Sequence, residues 1–186
     1  MSRWPPDAGA RLKACAVRLF AERGFADVTA AEIAAAAGMS ERTFFRHFKA
    51  KEDVLFEDYS GVRDALTQVV AEAREGASVR ELMQLVADGL GERFETSREE
   101  QRAFAEIVAR EPLLRARSLL RDHEWSEAIA EGFRLRRFSP ARATLLARIA
   151  AATFRTVYDD WLRSRSAKTL AKRFAAALAE LTEELG

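Results

Sequence analysis

Between Thr29 and Val54 the chain reads TAAEIAAAAGMSERTFFRHFKAKEDV, and this stretch constrains the fold more than any other. Thr29 is a good helix N-cap, and Glu32 three residues on completes a capping box. Val28 ahead of the cap can pack on Ile33 as a hydrophobic staple. Ile33, Ala34 and Ala37 form a small apolar face, and Gly38 ends the helix as a C′ glycine does. Ser40 caps a second helix, and Met39 can staple onto Phe44. Two short helices joined by a tight turn, with a third following at once, make a helix-turn-helix. That unit places its second helix in the DNA major groove.

Composition narrows the alternatives. The chain has 186 residues, enough to bury a substantial core in one or two domains. No run of about 18 apolar residues appears, so no membrane span is expected. The segment MSRWPPDAGARLKAC lacks an apolar h-region and does not read as a signal peptide. Cys15 is the single cysteine and lies on an apolar helix face, where it reads as a small buried hydrophobe. These features point to the cytoplasm. Net charge is only +1, so phosphate binding must come from local placement, chiefly of Arg42, Arg46, Lys49 and Lys51.

Almost every segment reads as helix, and strand-like alternation is absent. Residues 1–8 look like a short arm in which Arg3 is a candidate DNA contact, although a frayed terminus is the plainer reading. Leu12, Cys15, Ala16, Leu19 and Phe20 share one face of a first helix running from about Ala10 to Arg23. After the helix-turn-helix pair, a fourth helix starts near Lys51 and reaches Arg74. Ser78 with Glu81 opens a helix to Phe94, and Ser97 with Glu100 opens another to Arg110. Pro112 suits the first turn of a helix continuing to Arg137. Ser139-Pro140 starts one that runs to Arg163, and the last helix covers Ala167 to Leu185. The expectation is all-α, about nine helices, with residues 1–55 as a DNA-binding head and 56–186 as a ligand-binding and dimerisation domain.

Residues 11–55 resemble the DNA-binding domain of TetR-type repressors. Leu19, Phe20, Gly24, Phe25, Thr29, Ile33 and Ala34 match, as do Ala37, Gly38, Ser40, Thr43, Phe45, His47, Phe48, Lys51 and Glu52. The resemblance implies an all-helical homodimer with a three-helix head and a larger ligand domain. From EQRAFAEIVAREPLLRARSLLRDHEWSEAIAEGFRLRR to RTVYDDWL, the C-terminal half resembles an acyl-CoA-like ligand-binding domain of some actinobacterial regulators, including the mycofactocin-associated one. An arginine count of 25 against five lysines suits a GC-rich genome.

The N-terminal residues of a recognition helix reach base edges. Here they are Ser40, Glu41, Arg42 and Thr43. Arg42 can make a bidentate contact to guanine. Glu41 can accept from cytosine, or only favour the helix N-terminus through the dipole. Thr43 can touch a phosphate or a thymine methyl, while Phe44 and Phe48 read as core. Phe45 departs from the family's usual tyrosine and loses its hydroxyl bond to phosphate. By position, the resemblance makes His47 a DNA-facing residue and Lys51 a phosphate contact, and lets Thr29 bond phosphate besides its cap role. His47 and His123 are the only histidines and have no metal-ligand spacing, so no metal is expected.

The C-terminal domain is dense in aromatics. Phe94, Phe104, Trp125, Phe154, Tyr158 and Trp161 are the candidate lining of a cavity between helices. Arg115, Arg121 and Arg155 are candidates to meet the phosphates of a CoA-type effector. Leu146, Ile149, Ala150, Thr153, Phe154 and Val157 form one candidate dimer stripe, and Leu170, Phe174, Leu178, Leu181 and Leu185 another. Phe154 cannot be central to both pocket and interface. The resulting reading is a ligand-responsive repressor that binds a palindromic double-stranded operator as a homodimer. It needs no cofactor, is controlled by an apolar effector such as an acyl-CoA, and has no membrane partner. The alternative within the class is a multidrug sensor controlling an efflux gene. Outside it stand a small helical enzyme, for which no nucleophile–base pair or glycine loop appears and no catalytic residue is assigned, and a protein-interaction module.

Overall fold

The computed structural model of the chain describes residues 8–56, 61–95 and 98–185. Arg3 and the Ser97 cap fall outside these residues. Ten helices occupy the described chain, with no strand among the described residues. They are α1 (Ala8–Arg23), α2 (Ala30–Ala36), α3 (Glu41–His47), α4 (Asp53–Phe56), α5 (Val62–Ala71), α6 (Val79–Phe94), α7 (Arg98–Arg110), α8 (Pro112–Leu135), α9 (Pro140–Arg163) and α10 (Leu170–Leu185). The chain divides into two compact units: residues 1–60 with 102–118, and residues 61–101 with 119–186.

In the first unit, α1, α2 and α3 form where local chemistry predicts. Thr29 accepts the Glu32 N–H while Glu32 accepts the Thr29 N–H, a complete capping box. Gly38 takes φ +68°, a conformation that favours glycine, and turns the chain from α2 toward the Ser40 cap of α3. Leu12, Phe20, Val28, Ile33, Phe44 and Leu55 are almost wholly buried and make the core. Cys15 is half-buried at its edge rather than inside it. The residues of α7 and α8 that belong to this unit add Phe104 and Arg117. Phe104 meets Phe56 edge-on at 5.6 Å, and Arg117 pairs with Asp53 at 2.8 Å.

Of the expected helix from Lys51 to Arg74, α4 ends at Phe56, residues 57–60 lie outside the described residues, and α5 runs from its Gly61 N-cap to Ala71. The last helix begins at Leu170, three residues later than expected from Ala167. Its first N–H groups are satisfied by Glu95, which accepts the Leu170 N–H, and by Thr169. Helix starts depend on who fills the orphan donors, and Glu95 is too distant in sequence to be read as a cap.

In the second unit α5 packs on α6, and α10 packs on α6 and α9. Ser78 and Glu81 form the second capping box at the start of α6. Arg136 donates to the Ala73 and Arg74 carbonyls at 2.6 and 3.0 Å, closing the C-terminal end of α5. Gly132 allows α8 to approach α5 closely: a Cβ there would lie 2.7 Å from the Thr67 carbonyl oxygen and 2.7 Å from the Val70 Cβ. Thr67 ties the same contact by donating to the Ala128 carbonyl at 2.9 Å. Gly132→Ala is therefore expected to destabilise the protein by about 1–3 kcal/mol, because backbone must move to admit the methyl group. Chemical denaturation checks this, and an unchanged midpoint would show that the helices separate freely.

Candidate nucleic-acid interface and ligand cavity

Successive residues of α3 turn by about 100°. Glu41, Arg42, Phe45 and Arg46 therefore share one arc, and all four are exposed, Phe45 by 50%. Thr43, Phe44 and His47 share the opposite arc. Phe44 is wholly buried and packs against Phe48 with ring centroids 5.1 Å apart and the rings tilted. Glu41 and Arg42 make no side-chain hydrogen bond or ion pair with the described residues. The exposed arc thus presents a carboxylate, two guanidinium groups and an aromatic ring.

Four expected contact residues are positioned differently. Thr43 is only 4% exposed and its hydroxyl pairs with that of Ser40 at 3.0 Å, so it is closed to a base or phosphate. Ser40 accepts the Thr43 N–H and is exposed as a cap. His47 is turned inward with Thr43: four residues apart on a helix, they lie one above the other. The Lys51 ammonium is half-buried. It donates to the Phe25 and Val28 carbonyls at 2.7 and 2.8 Å and lies 4.0 Å from the Phe25 ring centroid. Lys51 holds the loop ahead of α2 instead of standing free. Thr29 is exposed beside that loop.

Glu32 adds an electrostatic component to the capping box. The Thr29 N–H and then Arg23, at 2.8 Å, hold its carboxyl down to about 2 from an ordinary 4.5. The depressed value means that the box contributes stability above the unfolded pKa and loses it as pH falls from about 4.5 toward 2. Glu32→Gln is expected to flatten the acid limb of a stability–pH curve in that window, measured by denaturation at each pH. A limb of unchanged steepness would assign the acid loss elsewhere.

The second unit contains a small aromatic cavity of about 40 Å³, lined by Leu90 and Phe94 of α6, Trp125 and Ile129 of α8, and Ala151, Phe154 and Tyr158 of α9. Phe94 is its centre, with ring centroids 5.9 Å from Trp125, 6.0 Å from Phe154 and 5.2 Å from Tyr158. The Tyr158 hydroxyl donates to Gln101 Oε1 at 2.8 Å. Arg121, Asp122 and Arg155 complete the lining. Arg155 pairs with Asp122 at 3.3 Å and with Asp159 at 3.1 Å, while Arg121 pairs with Asp122 at 3.0 Å and lies over Trp125.

Four of the six predicted aromatics thus meet in one place. Trp161 stands behind Tyr158, covered by the Arg98 guanidinium at 4.5 Å, and does not line the cavity. Phe104 belongs to the first unit and packs on Phe56, so it does not line the cavity either. Arg115 is also in the first unit. Leu90, Asp122, Ile129 and Ala151 were not predicted. A signal was present for two, since Leu90 and Ile129 lie one helical turn from Phe94 and Trp125.

Phe154 is 7% exposed and faces the cavity, which removes it from the proposed dimer stripe. Leu170, Phe174 and Leu178 are buried against their own chain and leave the second stripe, because α10 needs them to pack on α6 and α9. Among the described residues no three metal-ligating side chains cluster, and no helix is long and apolar enough to cross a membrane.

The family model for bacterial regulatory proteins of the tetR family matches residues 14–57, and that for the MftR C-terminal domain matches residues 82–186. The chain is 30% identical over 157 residues, 81% of its own length and 78% of the other, to the protein of Mycobacterium tuberculosis named as mycofactocin biosynthesis transcriptional regulator MftR. The chain belongs to the TetR family. TetR proteins are transcriptional regulators, not enzymes, with a helix-turn-helix DNA-binding head and a C-terminal ligand-binding domain. The fold is similar to that of Thermus thermophilus FadR, a TetR family repressor solved with lauroyl-CoA: 26% identity, TM-score 0.58, covering 94% of this chain and 93% of that one. It is also similar to Pseudomonas aeruginosa NalD, secondary repressor of the MexAB-OprM multidrug efflux pump: 18% identity, TM-score 0.64, covering 95% and 96%.

Within this TetR head, Lys51 and Arg42 separate stability from surface chemistry. Lys51→Ala strands two carbonyls and is expected to cost about 1–3 kcal/mol. Arg42→Ala, on the exposed arc, should change stability by less than about 0.5 kcal/mol. Denaturation midpoints check both, and equal losses would mean that Arg42 also supports the fold.

Proposed function

We propose that the protein is a repressor that binds a palindromic operator as a homodimer and is released or engaged by an apolar effector. Residues 1–55 form the DNA-binding head and 56–186 the effector-binding and dimerisation domain, acting in the cytoplasm. The observation that carries the reading is the exposed arc of α3, where Glu41, Arg42, Phe45 and Arg46 meet solvent together. Arg42 reads guanine through its planar donor fork, Glu41 accepts from cytosine or favours the helix N-terminus, Arg46 meets phosphate, and Phe45 contacts sugar or a thymine methyl. Ser40 and Thr29 meet the backbone beside their cap roles. Thr43 and His47 support α3 from within, and Lys51 orients the head and offers its remaining proton to phosphate.

Selection from a random duplex library tests this directly. A paired half-site should be enriched, with affinity falling steeply as salt rises. In Arg42→Ala, preference at one position per half-site should relax, at about 1–3 kcal/mol for the matched base. A library that enriches nothing would sink the proposal.

The effector reading rests on the cavity. Its wall of Leu90, Phe94, Trp125, Ile129, Phe154 and Tyr158 is apolar and suits an acyl chain, leaving the polar part of an acyl-CoA outside at Arg121 and Arg155. The lauroyl-CoA carried by the similar FadR supports an acyl-CoA as effector. One observation favours a second reading, a multidrug sensor of an efflux gene. Arg121 and Arg155 already pair with Asp122, and Arg155 also with Asp159, so the rim is charge-balanced and also suits an uncharged aromatic compound. A ligand that binds only the folded protein raises its melting temperature by mass action. Stabilisation by lauroyl-CoA but not free CoA is the expected result, whereas stabilisation by dyes alone would favour the second reading.

A further inference from the structure

His47 is a residue that the exposed arc of α3 does not use. Its Nε2 is buried and has no hydrogen-bond partner among the described residues. A buried polar atom without a partner is costly and needs an explanation. His47 lines a cleft of about 230 Å³ within the first unit, together with Phe48, Lys49, Asp53, Phe56 and Arg117.

The charges in this cleft are unequal. Asp53 has both oxygens engaged: Oδ2 accepts the Ala50 N–H at 2.9 Å, and Oδ1 accepts from Arg117 at 2.8 Å. It has little left to offer a cation. Lys49 is exposed and makes no hydrogen bond or ion pair with the described residues. Two fixed cations therefore face one satisfied carboxylate, with an imidazole nitrogen beside them. Arg117 spends one terminal nitrogen on Asp53 and keeps further N–H groups, since guanidinium carries five donors. Phe48 and Phe56 are buried and give the cleft an apolar wall.

We propose that this cleft is an anion site for a phosphate-type oxyanion, with Lys49, Arg117 and the Nε2–H tautomer of His47 as donors and Phe48 and Phe56 as the wall for an organic remainder. Charge-assisted donors that line one cleft can recognise a phosphate group. The oxyanion has two sources, a backbone phosphate of bound duplex or a free phosphate-bearing molecule. In either case it sits against the end of α3 and the Ala50–Asp53 turn, so its occupancy bears on how α3 is held.

The test uses the full chain with labelled histidines. Its only two are His47 and His123, and His123→Gln assigns them. Inorganic phosphate and phenyl phosphate are titrated at constant pH, with ionic strength held by chloride. A saturable shift of the His47 ring resonances is expected while His123 stays still, with phenyl phosphate saturating first. Lys49→Gln, an exposed substitution away from the Asp53 pair, should weaken both by about tenfold or more, and Arg117→Gln likewise. A duplex of about 20 base pairs then separates the sources. If it moves His47 and abolishes the phosphate response, the anion is the DNA backbone. If the response persists on duplex, the anion is a free molecule. No movement of His47 with phosphate, phenyl phosphate or duplex would overturn the proposal. So would the same shift at the same concentrations in Lys49→Gln and Arg117→Gln.

Discussion

The Lys51 ammonium holds the first unit together where its binding surface is decided. It sits just after the turn that ends α3, yet its two hydrogen bonds reach back to Phe25 and Val28, ahead of α2. Arg11 does the matching work at the other end of α2, donating to the Ala37 carbonyl at 2.6 Å. A helix of seven residues, as α2 and α3 each are, is not stable alone in water. Here two cations anchored outside α2 bracket it, and the buried arc of α3 locks against the same core. The exposed arc is therefore presented on a rigid base, as base readout requires.

The same economy of residues marks α3 itself. Seven residues serve two faces, and each face is complete. Phe44 fills the core, Thr43 closes the cap with Ser40, and His47 turns into the cleft beside Arg117. Glu41, Arg42, Phe45 and Arg46 make the exposed face. Phe45, where the family resemblance leads one to expect tyrosine, leaves half its ring in solvent without a polar handle.

In the second unit the cavity is a consequence of helix packing. Gly132 lets α8 close on α5, and Trp125 and Ile129, on the same helix, meet the aromatic residues of α6 and α9. Rings that touch at 5.2–6.0 Å around Phe94 leave a space with apolar walls. Its rim arginines are held by Asp122 and Asp159, so any charged ligand group must compete with carboxylates already in place.

Much of this was legible because it is local. The Thr29–Glu32 and Ser78–Glu81 boxes, the Gly38 turn and the two faces of α1 depend on residues within one or two turns, and short-range sterics and hydrogen bonding decide them. The sequence alone therefore determined an all-helical chain, a helix-turn-helix, and aromatics destined for burial. It did not determine which buried residue meets which. Phe94 and Phe104 read alike, yet one centres the cavity and the other packs on Phe56. Leu170 starts its helix because Glu95, 75 residues earlier, accepts its N–H. Lys51 is committed to two carbonyls 26 and 23 residues away. Periodicity reports that a side chain leaves water, but the partner it finds there is a long-range choice. That choice belongs to the tertiary structure, because only the folded chain brings those atoms within bonding distance.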